Sequence, residues 1–428
     1  MTAGSGNAWL HPELVTLSFV PDGTLLGTNG SGNVYSNLFS KFNGHPGWTT
    51  ATWEDTILKA AQTWAAAANI NFNVVADSGA ATGAGSYQQG DPQFGDIRIG
   101  GYAFGNNYLG ATFLPPPVNN YSLAGDISFN TGMGFNIGTT YDLYTVAVHE
   151  IGHALGLDHS TVGTAVMYAN YNGTKTGLAA DDVSSIQGVY GVRAANPYGS
   201  NTSFATAADL SNQVGPNNLT WEQNNLDLTT SDGVDYYKVT VPSGTSGTFT
   251  LGVQTAGLSL LRQAATVYAA DETTVLGSAT SAGAYDGTKD TITVSGVSAG
   301  QVLYIKVAGA DSTVFGTGRY ALTMNFGSGA SPTVPLPNTQ TLNGTPLQGG
   351  GSQTQGHAEL NLYKSLPGYD LLGVGHSRHP HSNKPHSAHH HAPTHHHVVV
   401  KNATAVLNDA INSMLTDVAL VQGLVGSS

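Results

Sequence analysis

His149, Glu150, His153, Gly156 and His159 fall within one stretch, HEIGHALGLDHS. On a helix, positions four apart share a face, so His149 and His153 present two imidazoles to one point, with Glu150 displaced to a neighbouring position. Gly156 can take the left-handed conformation that ends a helix, which turns the chain back and lets His159 supply a third nitrogen. Three neutral imidazoles suit zinc and leave its fourth position open for water, so the chemistry to expect is catalysis. A bare HExxH also occurs by chance on solvated helix faces. Here it extends to HExxHxxGxxH, and Val166, Met167 and Tyr168 follow at the distance of a methionine turn, which points to a zinc hydrolase. Met167 is read as a core side chain beneath the metal, not a ligand.

These residues carry a resemblance. The segment is similar to the metzincin clan of zinc endopeptidases and, within it, to the matrixins (peptidase M10 type). Ser160 directly after the third histidine fits matrixins, as does the run AVMYANY ending at Tyr171, with Ala169 where proline is usual. The stretch LAADDVSSIQGVYG resembles the last matrixin helix, with Asp181 and Asp182 in its first turn, where negative charge suits the helix dipole. The resemblance runs from about residue 14 to residue 191. It implies a secreted zinc metalloendopeptidase with one catalytic zinc on His149, His153 and His159. Zinc would lower the pKa of its water to about 7, and Glu150 would be the general base. A substrate strand would pair with the edge at residues 108–112, through Leu109, Gly110 and Ala111, and Tyr171 would line the pocket beyond the cut.

The departures are as informative. Ala111, Ser128, Asn130 and Met133 stand where matrixins carry ligands for a structural zinc and an adjoining calcium. The loop over residues 105–112 is therefore expected to be held by packing and main-chain hydrogen bonds. Asp96 and Asp126 stand where a different calcium could take its carboxylates; the alternative is a pair of solvated acids closing turns.

The elements that must position this chemistry are legible upstream. Residues 14–19 alternate as a strand does. Thr52 with Asp55 three positions on reads as the cap of a helix, and Trp53, Ile57, Ala60, Ala61 and Trp64 form its core stripe. Residues 71–75 and 96–99 read as strands. The resulting fold class is α+β, a twisted mixed sheet with helices, followed by an all-β sandwich and a disordered His-rich tail.

Composition bounds the remainder. The 428 residues suffice for two to three domains, and a formal net charge of −13 argues against nucleic acid and anionic membranes as partners. With no cysteine, disulfides are excluded, as is a cysteine that would occupy the zinc. No apolar run approaches a membrane span. An extracellular location is expected, although the first residues lack the basic and apolar regions of a secretory signal. The expected organisation is a peptidase domain at 1–192, a linker at 193–200, a β-sandwich at 201–327 resembling the bacterial pre-peptidase C-terminal domain, and a low-complexity tail at 328–428. Tyr236, Tyr237, Tyr304 and Tyr320 are either a surface or polysaccharide platform or half-buried packing. The tail holds a histidine cluster ending at His397, which could bind metal, and an amphipathic helix through Leu407, Ile411, Met414, Leu415 and Val418. Protein or peptide is the expected substrate and the monomer the expected state. The alternative is a surface or matrix-binding protein whose peptidase fold is inactive.

Overall fold

Strand β1 (Val15–Phe19) is buried along its whole length instead of alternating, because it lies between two parallel neighbours in the interior of a sheet. This computed structural model describes residues 4–29, 32–83, 89–105, 107–119, 121–281, 289–334 and 369–374. A hairpin of β2 (Leu25–Asn29) and β3 (Gly32–Tyr35) follows, then helix α1 (Leu38–Asn43). Helix α2 (Thr50–Ala67) starts earlier than expected. Its cap is Thr49, whose hydroxyl accepts from the Thr52 N–H at 3.2 Å, since the chain already turns at Gly47 (φ 82°). Thr52 thus occupies the third position of the helix. The stripe of Trp53, Ile57, Ala60, Ala61 and Trp64 is fully buried.

After β4 (Phe72–Val74), β5 (Ile97–Tyr102), β6 (Tyr108–Phe113) and β7 (Ile127–Asn130) come helix α3 (Leu143–Ala154), the short β8 (Asn170–Tyr171) and helix α4 (Ala180–Tyr190). The sheet runs β4-β1-β5-β7-β6, parallel except for β6, so the fold is α+β with a mixed sheet. Trp53, Trp64, Phe129, Val148 and Ile151 meet in one core between sheet and helices.

The second half pairs two sheets. One has β10 (Thr220–Leu228), β17 (Gly318–Asn325), β12 (Thr248–Gln254) and β15 (Lys289–Ser295) in spatial order. The other orders β14 (Val275–Thr280), β13 (Gln263–Ala269), β16 (Val302–Gly309), β11 (Val234–Thr240) and β9 (Ala208–Asp209). Burial alternates along β11 and β16, and Tyr237, Val239, Ile305, Leu251 and Leu322 share the core. The same alternation divides the four tyrosines. Tyr237 and Tyr320 face inward, fully buried, with their hydroxyls 2.5 Å apart, so neither belongs to a surface platform. Tyr236 and Tyr304 stay half-buried, packing around Phe204 at ring-centroid distances of 4.6 and 5.3 Å.

Arg193 and its surroundings bind the halves together. Its guanidinium is buried, pairs with Asp227 through two hydrogen bonds of 2.8 and 2.7 Å, and donates to the Ala65 carbonyl at 2.6 Å. Phe315 and Leu260 from the second half join the core that holds Trp53 and Trp64. Val334 is buried against Leu258 and Ala321, beyond the boundary expected at 327.

One strand stands in what the composition marks as tail. β18 (Tyr369–Val374) pairs antiparallel with β6 and parallel with β8, extending the first sheet to seven strands. The free edge of β6 supplies the main-chain partners that a glycine-rich sequence context does not advertise. The histidine cluster and the terminal amphipathic stretch lie outside the described residues.

Candidate metal centre and substrate edge

Every residue of helix α3 is buried, so it threads the core instead of lying on it. Asp142 caps it, accepting from the Thr145 N–H at 2.9 Å and the Thr145 hydroxyl at 2.7 Å. Its far end closes as a Schellman motif. Gly156 (φ 89°) donates to the His153 carbonyl at 2.8 Å, and Leu157 donates to Gly152 at 3.0 Å. A Cβ at Gly156 would run into the Asn7 carbonyl, which adds a steric demand to the conformational one. The carbonyls of Ala154 and Leu155 are taken by the Trp9 indole at 2.8 Å and the Tyr190 hydroxyl at 3.0 Å.

With the helix fixed at both ends, three imidazoles converge. Nδ1 of His149 lies 2.7 Å from the Val166 carbonyl, and Nδ1 of His153 lies 2.7 Å from that of Leu157. A carbonyl can only accept, so both Nδ1 atoms carry the proton and both Nε2 atoms present lone pairs. Nε2 of His153 is 3.0 Å from that of His149 and 3.3 Å from that of His159. Two lone pairs cannot bond to each other. Four-coordinate zinc at roughly 2.0–2.1 Å from each ligand sets neighbouring nitrogens about 3.3 Å apart, so these residues fit that ion. Burial pushes the His153 pKa down to about 3, helped by the neighbouring His159, which keeps the ring in its neutral, ligating form. Among the described residues this is the one cluster of three or more groups able to hold a metal.

Glu150 is fully buried beneath β6, where its Oε2 accepts from the Thr112 hydroxyl at 2.6 Å. Gly110 covers the same carboxylate so closely that a Cβ there would overlap it. Thr112 was not singled out from sequence; a threonine in a strand carries no signal that its partner is a glutamate thirty-eight positions on. The expected edge residues divide by side chain. Leu109 is core and lies at the shift in the β18 register, while Gly110 and Ala111 pair along the β6 edge. Tyr171 lines a small cavity with His149, Val166 and Tyr168, and its hydroxyl accepts from the Asp142 N–H at 3.1 Å.

The floor is tied to α4. Met167 is fully buried against Gly152, where any Cβ would collide with its sulfur. Asp182 accepts from the N–H groups of Val166 and Met167 at 2.9 and 3.2 Å and from Ala179 at 2.8 Å. Asp181 accepts from the Ser160 hydroxyl at 2.6 Å, anchoring the residue after His159. The two acids read as dipole partners are therefore also struts of the site.

The loop before β6 departs from expectation in its means of support. The Asn130 amide reaches the carbonyls of Phe104, Gly105 and Tyr108 at 2.9, 3.2 and 2.7 Å, and its oxygen accepts from the N–H groups of Phe104 and Gly132. A single side chain, more than main-chain bonding, gathers that loop. Ala111 and Ser128 pair across β6 and β7, and Met133 packs on the core.

Asp96 and Asp126 are both held by protein donors. Both oxygens of Asp96 are engaged, by Thr16 at 2.8 and 2.9 Å and by the Gly90 N–H at 2.6 Å. Asp126 accepts from the Arg98 N–H at 3.2 Å and lines a small cavity with Arg98, whose guanidinium pairs with Asp77 at 2.9 and 2.7 Å. Burial raises the Asp96 pKa to about 6 and that of Asp126 to about 8, the latter opposed by Arg98.

A three-histidine cluster on a Schellman-closed helix, with a glutamate under a sheet edge and a methionine floor, defines a metallohydrolase type of site. The matrixin family (peptidase M10) matches residues 38–191. Its relatives include karilysin of Tannerella forsythia, 36% identical over 154 residues, 35% of this chain and 31% of karilysin. Matrix metalloproteinase-20 of Homo sapiens is 35% identical over 167 residues, 38% and 32% of the two chains. Interstitial collagenase of Equus caballus is 35% identical over 148 residues, 34% and 30% of the two chains. The chain thus spans about a third of the length of these relatives.

Proposed function

We propose that the chain is a secreted zinc-dependent endopeptidase. The observation that carries this reading is the convergence of three Nε2 lone pairs, two fixed by carbonyl-bound Nδ1 atoms, beside a buried glutamate under β6. His149, His153 and His159 would hold the zinc. When bound, zinc supplies Lewis acidity that lowers the pKa of its water to about 7. Glu150 takes the proton from the attacking water and returns it to the leaving amine, and the Thr112 hydroxyl holds its carboxylate in place. The main chain of Leu109, Gly110 and Ala111 binds the substrate as an added strand, which gives affinity without fixing a sequence. Tyr171 bounds the pocket for the residue after the cut.

Metal analysis and casein hydrolysis test this together. The purified chain should carry zinc in the cluster, lose activity to a chelator and regain it with zinc. Glu150→Gln should keep the metal and lose most activity. Full activity in that variant would remove Glu150 as the base, and a zinc-loaded chain inert toward casein and peptide libraries would favour a binding role for an inactive peptidase fold. The sandwich is read as an accessory module that contacts surfaces or polysaccharide, supported by the half-buried cluster of Phe204, Tyr236, Tyr268 and Tyr304. Among the described residues no helix is long and apolar enough to cross a membrane.

A further inference from the structure

The edge proposed for substrate already has an occupant. β18 runs antiparallel to β6, with Asp370 opposite Thr112, Leu371 opposite Ala111 and Leu372 opposite Gly110. After Leu372 the register shifts, and Gly373 and Val374 pair in parallel with Asn170 and Tyr171 of β8. The strand therefore bridges two segments that do not pair with each other, and it lies against α3. Thr112 and Gly110 lie against the Glu150 carboxylate and are the β6 partners of Asp370 and Leu372, so the backbone of residues 370–372 runs beside the strand that covers the proposed base. The following residues lead along β8 to the cavity lined by His149 and Tyr171.

We propose that this segment is the site's own first substrate: it holds the edge as a tethered strand and is released by hydrolysis of the Leu371–Leu372 peptide bond. This deepens the endopeptidase reading and rests on it. The bond lies opposite Ala111 and Gly110, just before the strand leaves β6 for β8. Water adds across it: its oxygen joins the Leu371 carbonyl carbon, the C–N bond breaks, and the Leu372 nitrogen takes the proton carried by Glu150. The products are a carboxylate on Leu371 and an amine on Leu372, with no further reactant. Until that cut, tethering gives the strand an effective concentration on the order of millimolar, ample for a weak strand to compete with free peptides.

The test uses the full chain, purified metal-free and started with zinc, followed by intact-mass spectrometry alongside hydrolysis of a fluorogenic peptide and of casein. The expected result is a fragment ending at Leu371 and one beginning at Leu372, formed at a rate independent of protein concentration. Peptide hydrolysis should accelerate as they appear. Replacing both residues, Leu371→Pro with Leu372→Pro, removes two strand N–H groups without touching the zinc site. That variant should start without a lag, with an apparent KM about tenfold below that of the uncut chain. The proposal is overturned if a preparation that hydrolyses casein leaves residues 369–374 uncut, if cutting scales with protein concentration, or if the proline variant starts at the wild-type rate. A zinc-loaded chain that hydrolyses neither casein nor itself would instead bring down the endopeptidase reading, and this proposal with it.

Discussion

Glu150 has no room to move. Thr112 bonds one oxygen and Gly110 covers the carboxylate, so the glycine is fixed by the glutamate rather than by backbone conformation. Gly110→Ala should keep zinc, because no ligand is touched, yet lower kcat/KM about 100-fold by displacing the base on the order of an ångström. Zinc content and steady-state kinetics check the pair of outcomes, and unchanged kinetics would mean the carboxylate relaxes without loss. At this scale the sequence was most readable. His149, His153 and His159 announce themselves because metal geometry demands fixed spacing along one helix and turn. Thr112, Asp142 and Asn130 do not, because their partners are far along the chain or are main-chain groups that any sequence has. The surroundings of Asp96 and Asp126 are unreadable for a related reason: carboxylate positions can be read from a chain, but the Thr16 and Arg98 N–H groups that bond them come from other strands.

Among the elements, α3 and the methionine turn interlock through Gly152, whose missing Cβ leaves the space filled by Met167 and Trp64. Gly152→Ala is expected to cost about 1–3 kcal/mol by overpacking, visible as a lowered melting temperature. A variant as stable as wild type would show that Met167 can repack. In the sandwich, Asp235 accepts from the Tyr320 hydroxyl at 2.6 Å and from the Asn196 amide at 2.7 Å. Burial outweighs these bonds and raises its pKa to about 6, above the unfolded value of 3.8. Its contribution is therefore fully present below pH 4 and is lost as pH rises through 6. Relative to Asp235→Asn, the wild type should lose as much as about 3 kcal/mol between pH 4 and 7. Urea unfolding at both pH values measures this, and parallel curves would refute it. Strand periods gave the sandwich away because half-buried strands must alternate. The α2 start was misplaced by three residues because Thr49 and Thr52 are both competent caps, and only the turn at Gly47 selects one.

For the whole molecule, the position expected to be a linker begins with a buried clamp. Arg193 joins carbonyls of the first half to Asp227 of the second, a carboxylate whose pKa burial raises against the pull of that arginine. Arg193→Ala would leave the buried Asp227 without its hydrogen-bonded cation, with only the charge of Arg319 beside it, and should destabilise the chain by about 3 kcal/mol. If the clamp couples the halves, the wild type melts in one calorimetric transition and the variant in two. Two transitions in the wild type would make them independent. Composition could not foresee this, because small residues and a proline mark a turn as readily as a loose connection, and burial depends on what folds over it. Likewise β18 is short and preceded by low-complexity sequence, and its reason for being a strand is an edge far away in the chain.

The amide of Asn130 has one more implication. A staple attached by covalent bonds has no dissociation constant, so dilution, chelators and competing ions that strip a metal from its ligands leave Phe104, Gly105 and Tyr108 gathered as before. Ion supply would then switch the reaction on and off while the rim of the cleft kept its shape, and a stripped molecule could be recharged without refolding.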